Sequence, residues 1–560
     1  MRTPALLLTG ILVVSACAPD QSKRTGLDGG TLVISTPSDA QLLFPVLTED
    51  ATAGQVEMQL FDKLAEPGMA LNTIGDGGFE PRLAERWTWS ADSLSIAFAL
   101  DPRARWHDGA PVTAHDVRFT WQLYADSVVG SPSRPLVAAI DSVTVRDPLT
   151  AVFWFARRGP EQFFDATFQM RILPEHLLAS LPRAELKSAP FGRHPVGTGA
   201  FKFVRWEGRQ SIALEANLQY YRGRPHLDRV IWSIAPDPQA AVLRLLSGEA
   251  DFFEYLRGPD IAAVAARPEL KVLRYPSLSY GTLIWNERDP KNPSAPNPLF
   301  ADRDLRRALT LAVDRASLVR SVYDTLAITG HGPINTHIST YDSTVALLPY
   351  APDSAKRLLD ALGWRATGAD GMRTKKGKAL GFSILVPSSS TQRQQLAVLI
   401  QEEMQRLGVH VEIEQGDFPT VFRRVAARQF EAVIWGTILD PSPGGIRQSW
   451  TSAAAAPGGS NIAGYRSAAF DTDLDSATHA LDPVRAKAYY RRAYETIIAD
   501  APAVWINEAS NLAGLSKRVY PVGMRADAWA LNLWQWSIPA DQRIARDDLG
   551  STPPAPPAKP

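Results

Sequence analysis

Residues 106–117 hold the densest group of side chains that could do chemistry. The segment reads Trp-His-Asp-Gly-Ala-Pro-Val-Thr-Ala-His-Asp-Val, which brings His107, Asp108 and His115 close together. Imidazole and carboxylate groups in such proximity are typical of acid–base catalysis or of metal binding. A local structural role accounts for more of the segment, because Asp-Gly favours a tight turn and Thr113, with an aspartate three residues later, favours a helix N-cap. We therefore predict a scaffold motif here.

The rest of the chain lacks the common motifs of enzymes. Gly197-Thr198-Gly199 has neither the P-loop spacing nor the G-x-G-x-x-G spacing, so nucleotide binding is not predicted. The nine histidines form no H-E-x-x-H pattern, and His331 and His337 lie in a loop with glycine and proline, where surface or packing roles are expected. No G-x-S-x-G elbow is present. The sequence predicts no catalytic residue, no metal and no cofactor.

The only cysteine, Cys17, completes a Val-Ser-Ala-Cys run that follows a short apolar stretch at residues 5–14. An arginine, an apolar run of this length and small residues before a cut are typical of a secretory signal, whereas a membrane-spanning helix needs about 20 apolar residues. We predict a lipoprotein signal peptide at 1–16, lipidation of Cys17, and a polar tether at 17–28. The alternative is an ordinary signal peptide that contains a cysteine by chance.

Composition narrows the class of protein further. The 59 basic and 59 acidic residues balance, which argues against a nucleic-acid-binding surface. With Cys17 lipidated, no internal disulfide is possible, so the core must supply the stability, and the chain has 15 Trp, 21 Phe and 14 Tyr for that purpose. The proline-rich end, residues 549–560, is predicted to be a disordered tail.

The elements that would position functional groups read as mixed α/β. A short apolar strand is predicted at 31–35, and a helix is predicted after Asp302, a good N-cap. Two segments, 140–145 and 150–155, read as a hairpin. The clearest unit is a βαβ crossover, which implies parallel pairing, with strands at 382–386 and 409–413 and a helix at 392–407.

An ordered series of motifs resembles the bacterial extracellular solute-binding proteins of family 5, the dipeptide, oligopeptide and nickel receptors of ABC importers. Each motif alone is weak, but their order and their spread over nearly the whole chain after the tether are specific. Besides residues 106–117, the matching segments are Pro81–Trp87, Pro195–Phe201 (P-x-G-T-G-x-[YF]), Gly248–Asp251 (G-E-x-D), Trp285-Asn286, Phe300–Ala308, Val313–Arg315 and Phe470-Asp471.

This resemblance implies an α/β, two-lobed periplasmic binding protein of type II, cluster C-like, with an extra subdomain in the first lobe and a ligand cleft between the lobes. The implied boundaries are 29–283 for the first part of lobe I, 284–500 for lobe II and 501–548 for the return to lobe I. Closure of such lobes about a hinge couples binding to shape. A permease would then collect the closed form.

Peptide-binding members of the family place an aspartate three residues after a tryptophan, where it pairs with the peptide α-ammonium. Here Ile438 takes that position after Trp435, and the nearest carboxylate is Asp440. The arginine that dipeptide receptors place before the following helix is also missing, with Arg393 already on the helix. An unpaired buried ammonium costs several kcal/mol. We therefore predict that a free dipeptide is not the best ligand, unless Asp440 or Arg393 substitutes.

The resemblance places the remaining candidates for ligand contact near the cleft. Trp435 either lines the pocket or packs in the core, and Asp440 either binds ligand or turns the chain before Pro441. The full predicted set is Trp435, Thr437, Asp440, Tyr280, Asn286 and Thr36, of which Tyr280 and Asn286 could instead fix the hinge.

The predicted function is a monomeric, lipid-anchored extracytoplasmic receptor. It would capture a peptide or peptide-like solute and deliver it to an ABC permease, without binding nucleic acid. The alternatives are a sensory or chaperone-like binding protein with the same fold and, third, a periplasmic hydrolase.

Overall fold

Two β-sheets of different strand order organise the molecule. The structure, a computed structural model, describes residues 28–48, 50–367 and 371–547. Cys17, the signal peptide, nearly all of the tether and the proline-rich tail therefore lie outside the described residues. In the described part, no helix combines the length and apolar character needed to cross a membrane.

The first sheet has seven strands and includes the predicted strand near the N-terminus. Its inner strand Thr31–Thr36 is buried along its whole length, since strands flank it on both sides. In spatial order the strands are Leu270–Tyr275, Asn511–Ser516, Phe252–Phe253, Thr31–Thr36, Arg229–Ile234, Ser211–Ala216 and Phe201–Glu207.

The second sheet has six strands and contains the predicted crossover. Gly381–Pro387 and His410–Gly416 pair in parallel and are joined by the helix Thr391–Arg406, which confirms the βαβ prediction. In spatial order the strands are Ala327–Thr329, Ala503–Ala509, Ser279–Trp285, Ala432–Ile438, Gly381–Pro387 and His410–Gly416.

A four-stranded antiparallel sheet forms the extra subdomain expected beside the first sheet. Its strands are Ala84–Trp89, Ser95–Leu100, Thr150–Phe155 and Ile140–Asp147, in that order, and the last two form the predicted hairpin. Its apolar face shares one continuous core with the seven-stranded sheet. Smaller pairings join Ala65–Pro67 with Phe79–Pro81, Arg288–Asp289 with Asn292–Pro296, and Arg365–Ala366 with Arg373–Lys375 and Lys378–Ala379.

Helices cover the faces of both large sheets. The helix predicted after Asp302 begins at Arg303, and the Asp302 carboxylate accepts hydrogen bonds from two backbone amides as an N-cap. The helices are Ala51–Leu60, Ala114–Ala125, Gln162–Thr167, Glu175–Leu178, Pro238–Leu246, Gly258–Ala265, Arg303–Leu311, Arg315–Tyr323, Pro352–Ala361, Thr391–Arg406, Phe418–Ala426, Ile446–Trp450, Ala468–His479 and Pro483–Asp500.

The chain passes between the two sheets at two adjacent points. The first crossing lies between the strands Leu270–Tyr275 and Ser279–Trp285, and the second is Ser510. Arg274 donates to the Ser510 hydroxyl at 2.7 Å, and Asn511 donates to the Pro276 carbonyl at 3.1 Å, so the crossings are tied together. Strand pairing thus places the crossings at 276–278 and 510, rather than at the predicted 283/284 and 500/501, because Ser279–Trp285 and Ala503–Ala509 both pair within the second sheet.

Candidate functional site

A polar contact joins the two lobes on one side of the space between them. Glu161 precedes the short helix Gln162–Thr167 of lobe I, and its carboxylate accepts hydrogen bonds from the Ser442 hydroxyl and, at 3.3 Å, from the Gly444 amide of lobe II. Burial raises the pKa of Glu161, and the bond from Ser442 opposes that rise. We call this contact the interlobe latch. It can form only when the lobes approach each other.

Beside the latch lies a cavity of about 420 Å³ with walls from both lobes. Phe164, Asp165 and Gln169 line it from lobe I, and Asp440 and Gln448 line it from lobe II. The volume lies within the range of about 300–1,000 Å³ that is usual for ligand pockets. The cavity is therefore a candidate ligand site.

The electrostatics of this cavity are acidic. Burial and, to a lesser extent, the nearby carboxylates of Glu161 and Asp440 together raise the pKa of Asp165 to about 8. Burial also raises the pKa of Asp440, whose carboxylate accepts from the Ser442 amide at 2.8 Å. Like charges at one site disfavour simultaneous ionisation. The closed cavity therefore favours either protons or a cationic group of a ligand.

An exposed aromatic surface lies between the strand Ala432–Ile438 and the helix Phe418–Ala426. Trp435 is half-buried, with the Phe418 ring parallel to it at 6.4 Å and the Phe422 ring at 6.3 Å. The Arg393 guanidinium lies 5.7 Å from the Trp435 ring centre. Three residues on, Ile438 is 85% exposed. It pairs directly across from Ser279, next to the first crossing.

Most of the other residues predicted to contact ligand on the second sheet lie inside lobe II. Tyr280 is buried, and its hydroxyl accepts from the Trp450 indole at 3.2 Å. Thr437 is the cross-strand partner of Tyr280 and is half-buried. Asn286 is fully buried and donates to the backbone carbonyls of Arg428 and Phe430. For Tyr280 and Asn286 this placement favours the hinge and packing alternative over ligand contact.

Thr36 lies at the end of the first inner strand, close to the second crossing. Its hydroxyl is buried and lies 3.3 Å from that of Thr52. The next residue, Pro37, lines a recess of about 400 Å³ together with Glu254, Tyr255 and Ser510. Thr36 therefore supports the wall of a recess at the hinge rather than facing it with a free hydroxyl.

The histidine-rich segment is scaffold, as predicted. Thr113 and Asp116 form the capping box of the helix Ala114–Ala125. His107 is bonded on both ring nitrogens, accepting from the Gly197 amide at 3.1 Å and lying 3.1 Å from the Gly199 carbonyl, and burial lowers its pKa to about 4. No cluster of three potential metal ligands occurs in residues 28–48, 50–367 and 371–547.

The Gly-Thr-Gly turn has a steric explanation. A Cβ on Gly197 would lie 1.8 Å from the Leu60 carbonyl oxygen, and one on Gly199 would lie 2.2 Å from that of Gln59. Only glycine allows this close approach to the end of the helix Ala51–Leu60. The turn is a packing feature.

Sequence reasoning missed Glu161, Asp165 and Ser442. They belong to no motif, and Glu161 and Ser442 meet only through the tertiary fold. The sequence offers only a weak indication of this site: the carboxylates of Glu161 and Asp165 flank Phe163 and Phe164, which favours burial of charge near an apolar core.

Two sheets joined by paired crossings, with a candidate ligand cavity between them, define a two-lobed binding protein. The chain belongs to the bacterial extracellular solute-binding proteins, family 5, whose model matches residues 78–457. The type II α/β fold expected for this family is the one observed. The family consists of binding proteins rather than enzymes, in agreement with the predicted class.

Relatives and solved structures cover nearly the whole chain. The oligopeptide-binding protein AppA of Bacillus subtilis is 26% identical over 554 residues, 95% of this chain and 99% of its own. A putative ABC transporter peptide-binding protein of Brucella melitensis is 28% identical over 480 residues, 83% of this chain and 85% of its own. The structure of B. subtilis AppA in complex with a nonapeptide aligns with a TM-score of 0.71 at 26% identity, covering 91% of this chain and 99% of that one.

A second solved structure supports the fold alone. The ABC transporter substrate-binding protein CtaP of Listeria monocytogenes aligns with a TM-score of 0.79 at 21% identity, over 91% of this chain and 99% of its own.

Proposed function

We propose that this protein captures a peptide or peptide-like solute outside the cytoplasm and delivers it to an ABC permease. The observation that carries the proposal is the interlobe cavity, which carboxylates from both lobes line and which the interlobe latch borders. A site made of groups from both lobes exists only in the closed form, so a ligand that fills it stabilises closure. Closure is the change that a permease would recognise.

The acidic cavity supports a ligand with a cationic group. An ammonium or guanidinium placed among Glu161, Asp165 and Asp440 would offset the repulsion that raises the pKa of Asp165. A peptide with a lysine or arginine side chain, or with its N-terminus in this cavity, has the required charge. The relative AppA, solved with a nonapeptide, supports a cargo longer than two residues.

The exposed Ile438 supports the same preference against free dipeptides. An exposed isoleucine side chain at this position supplies no partner for an α-ammonium. The aromatic surface of Phe418, Phe422 and Trp435 offers instead a platform for apolar or aromatic side chains. Among the predicted contacts we therefore retain Trp435 and Asp440 as the proposed ligand residues, with Thr437 beside them.

The cellular location of the protein is a separate part of the proposal. We infer from the Val-Ser-Ala-Cys run that Cys17 carries lipid and holds a monomeric receptor near the membrane that contains its permease. Replacing Cys17 by serine should move the protein from the membrane fraction to the soluble extracytoplasmic fraction. Unchanged fractionation would contradict the anchor without affecting the ligand proposal.

Cargo identification tests the binding function directly. Protein purified without denaturation is unfolded, and the released small molecules are identified by mass spectrometry. We expect peptides of more than two residues, enriched in lysine and arginine, and Asp165→Asn should reduce that enrichment. Recovery of dipeptides alone, or of uncharged non-peptide solutes, would refute the proposed specificity. Pull-down of permease subunits by the wild-type protein separates an importer receptor from a receptor with another role.

A further inference from the structure

A second, much smaller cavity lies inside lobe I, and its lining carries excess positive charge. Its volume is about 20 Å³, which is room for one water-sized or halide-sized occupant. Four cationic side chains and two carboxylates line it: Lys63, Arg82, Arg171, Arg222, Asp62 and Glu66. The cavity lies where the end of the helix Ala51–Leu60 meets the C-terminal segment near Trp534.

The two carboxylates are already engaged by other groups. Glu66 pairs with Lys63 at 3.1 Å and with Arg525 at 3.1 Å. Asp62 accepts from the Tyr220 hydroxyl at 2.9 Å and from the Thr198 hydroxyl at 3.2 Å. The hydroxyls on Asp62 are neutral, so the two carboxylates offset two of the four cations and leave two positive charges of the lining without a carboxylate.

Two of the four cations lack an ion pair. Lys63 has Glu66, and Arg82 has Glu80 at 3.5 Å. For Arg171 and Arg222, by contrast, no carboxylate oxygen lies within 4.0 Å in the part of the chain that the structure describes. A guanidinium presents up to five donors and cannot shed its charge. Arg222 hydrogen-bonds Tyr220, and its guanidinium lies 5.2 Å from the centre of the Trp534 ring. These partners are neutral, so both guanidinium groups keep their positive charge beside a space that can hold one small occupant.

The groups around the cavity add to its excess of positive charge. Burial lowers the pKa of Lys63 to about 8. The Glu66 carboxylate opposes that shift, and the positive charges of Arg171 and Arg525 add to it. A negative charge in the cavity would offset the repulsion among these cations.

We propose that this cavity is a binding site for a small monovalent inorganic anion of the halide class, with chloride as the abundant candidate. Water would fill the space but leave the charge excess unchanged. So small a space fits a single spherical ion better than tetrahedral phosphate or sulfate, or the carboxylate end of a peptide cargo. The bound anion connects Lys63 and Arg171 with Arg222, so it stabilises lobe I independently of the cargo.

The test compares chloride with gluconate, an anion too large to enter, at equal ionic strength. The melting temperature of the full-length protein should rise saturably with chloride, by about 2 °C when the site is filled, since a ligand that binds only the folded state stabilises it by mass action. Arg171→Gln and Arg222→Gln should each lose most of this chloride-specific shift. Arg86→Gln, at a side chain that is 71% exposed, should keep it.

Crystals grown in bromide give the deciding measurement. We expect an anomalous peak inside the cavity, within hydrogen-bonding distance of the Arg171 or Arg222 guanidinium. A cavity without that peak, at a bromide concentration that saturates any thermal shift, overturns the proposal. This measurement uses the wild-type protein, so the proposal stays testable even if the variants fail to fold.

Discussion

Removing one hydroxyl from the interlobe latch should shift the equilibrium between open and closed lobes. Ser442→Ala deletes the hydroxyl that donates to Glu161 and leaves the weaker bond from the Gly444 amide at 3.3 Å. In the open form water replaces the lost donor, so the cost falls on the closed form alone.

The magnitude follows from the chemistry of the bond. A hydrogen bond to a charged group contributes about 1.5–3 kcal/mol. The Gly444 amide still donates to Glu161 in the variant, which places the expected loss at the lower end. About 1.5 kcal/mol corresponds to a roughly tenfold fall in the ratio of closed to open molecules. The apparent dissociation constant for cargo should rise by a similar factor, because binding requires the closed form.

Fluorescence energy transfer between the lobes measures this ratio. With Cys17 replaced by serine the chain has no cysteine, so dyes can be placed at Leu218→Cys and Val484→Cys, which are 64% and 78% exposed in lobe I and lobe II. Ser476→Ala is the matched control, since that hydroxyl bonds within its own helix at Thr472. A change of less than twofold in Ser442→Ala would refute the role assigned to the latch.

Three further perturbations test the cavity, the specificity and the fold. The pKa of Asp165 is about 8 in the closed form, against an ordinary value near 4, so closure takes up a proton between these two pH values. The closed fraction of ligand-free protein should therefore fall as pH rises from about 4 to 8. Asp165→Asn should flatten this profile. Ile438→Asp should create dipeptide binding detectable by calorimetry, because it supplies the missing carboxylate. Arg518→Met should lower the free energy of unfolding of lobe I in urea by about 3 kcal/mol, because it leaves the buried carboxylates of Asp251 and Asp547 short of a partner.

Matched control variants separate these effects from a general loss of stability. Asp353→Asn, at a side chain that is 82% exposed, should leave the pH profile of closure unchanged. Ile438→Asn should not gain dipeptide binding, since it lacks the charge. Arg491→Met removes a solvent-exposed ion pair with Glu495 and should change the free energy of unfolding by less than about 1 kcal/mol. Tight dipeptide binding by the unmodified protein would contradict the specificity argument at once.

Local patterns predicted those elements whose determinants lie close together in the chain. The crossover around the helix Thr391–Arg406 was read correctly, because its hydrophobic periodicity changes from strand to helix and back within a short segment. The capping box of Thr113 and Asp116 was also read correctly, since a cap depends on residues three apart. The lobe boundaries were placed a few residues away from the observed crossings, because strand pairing rather than composition decides where a lobe ends.

The sequence by itself determined the class of protein, the scaffold nature of the His107 segment and the departure at Ile438, because each is carried by neighbouring residues or by an ordered series of motifs. Only the tertiary structure brought Glu161 to Ser442 and gathered Lys63, Arg171 and Arg222 around one small space. Electrostatic coupling depends on distance in space and on burial, and neither quantity can be read from positions that lie tens to hundreds of residues apart.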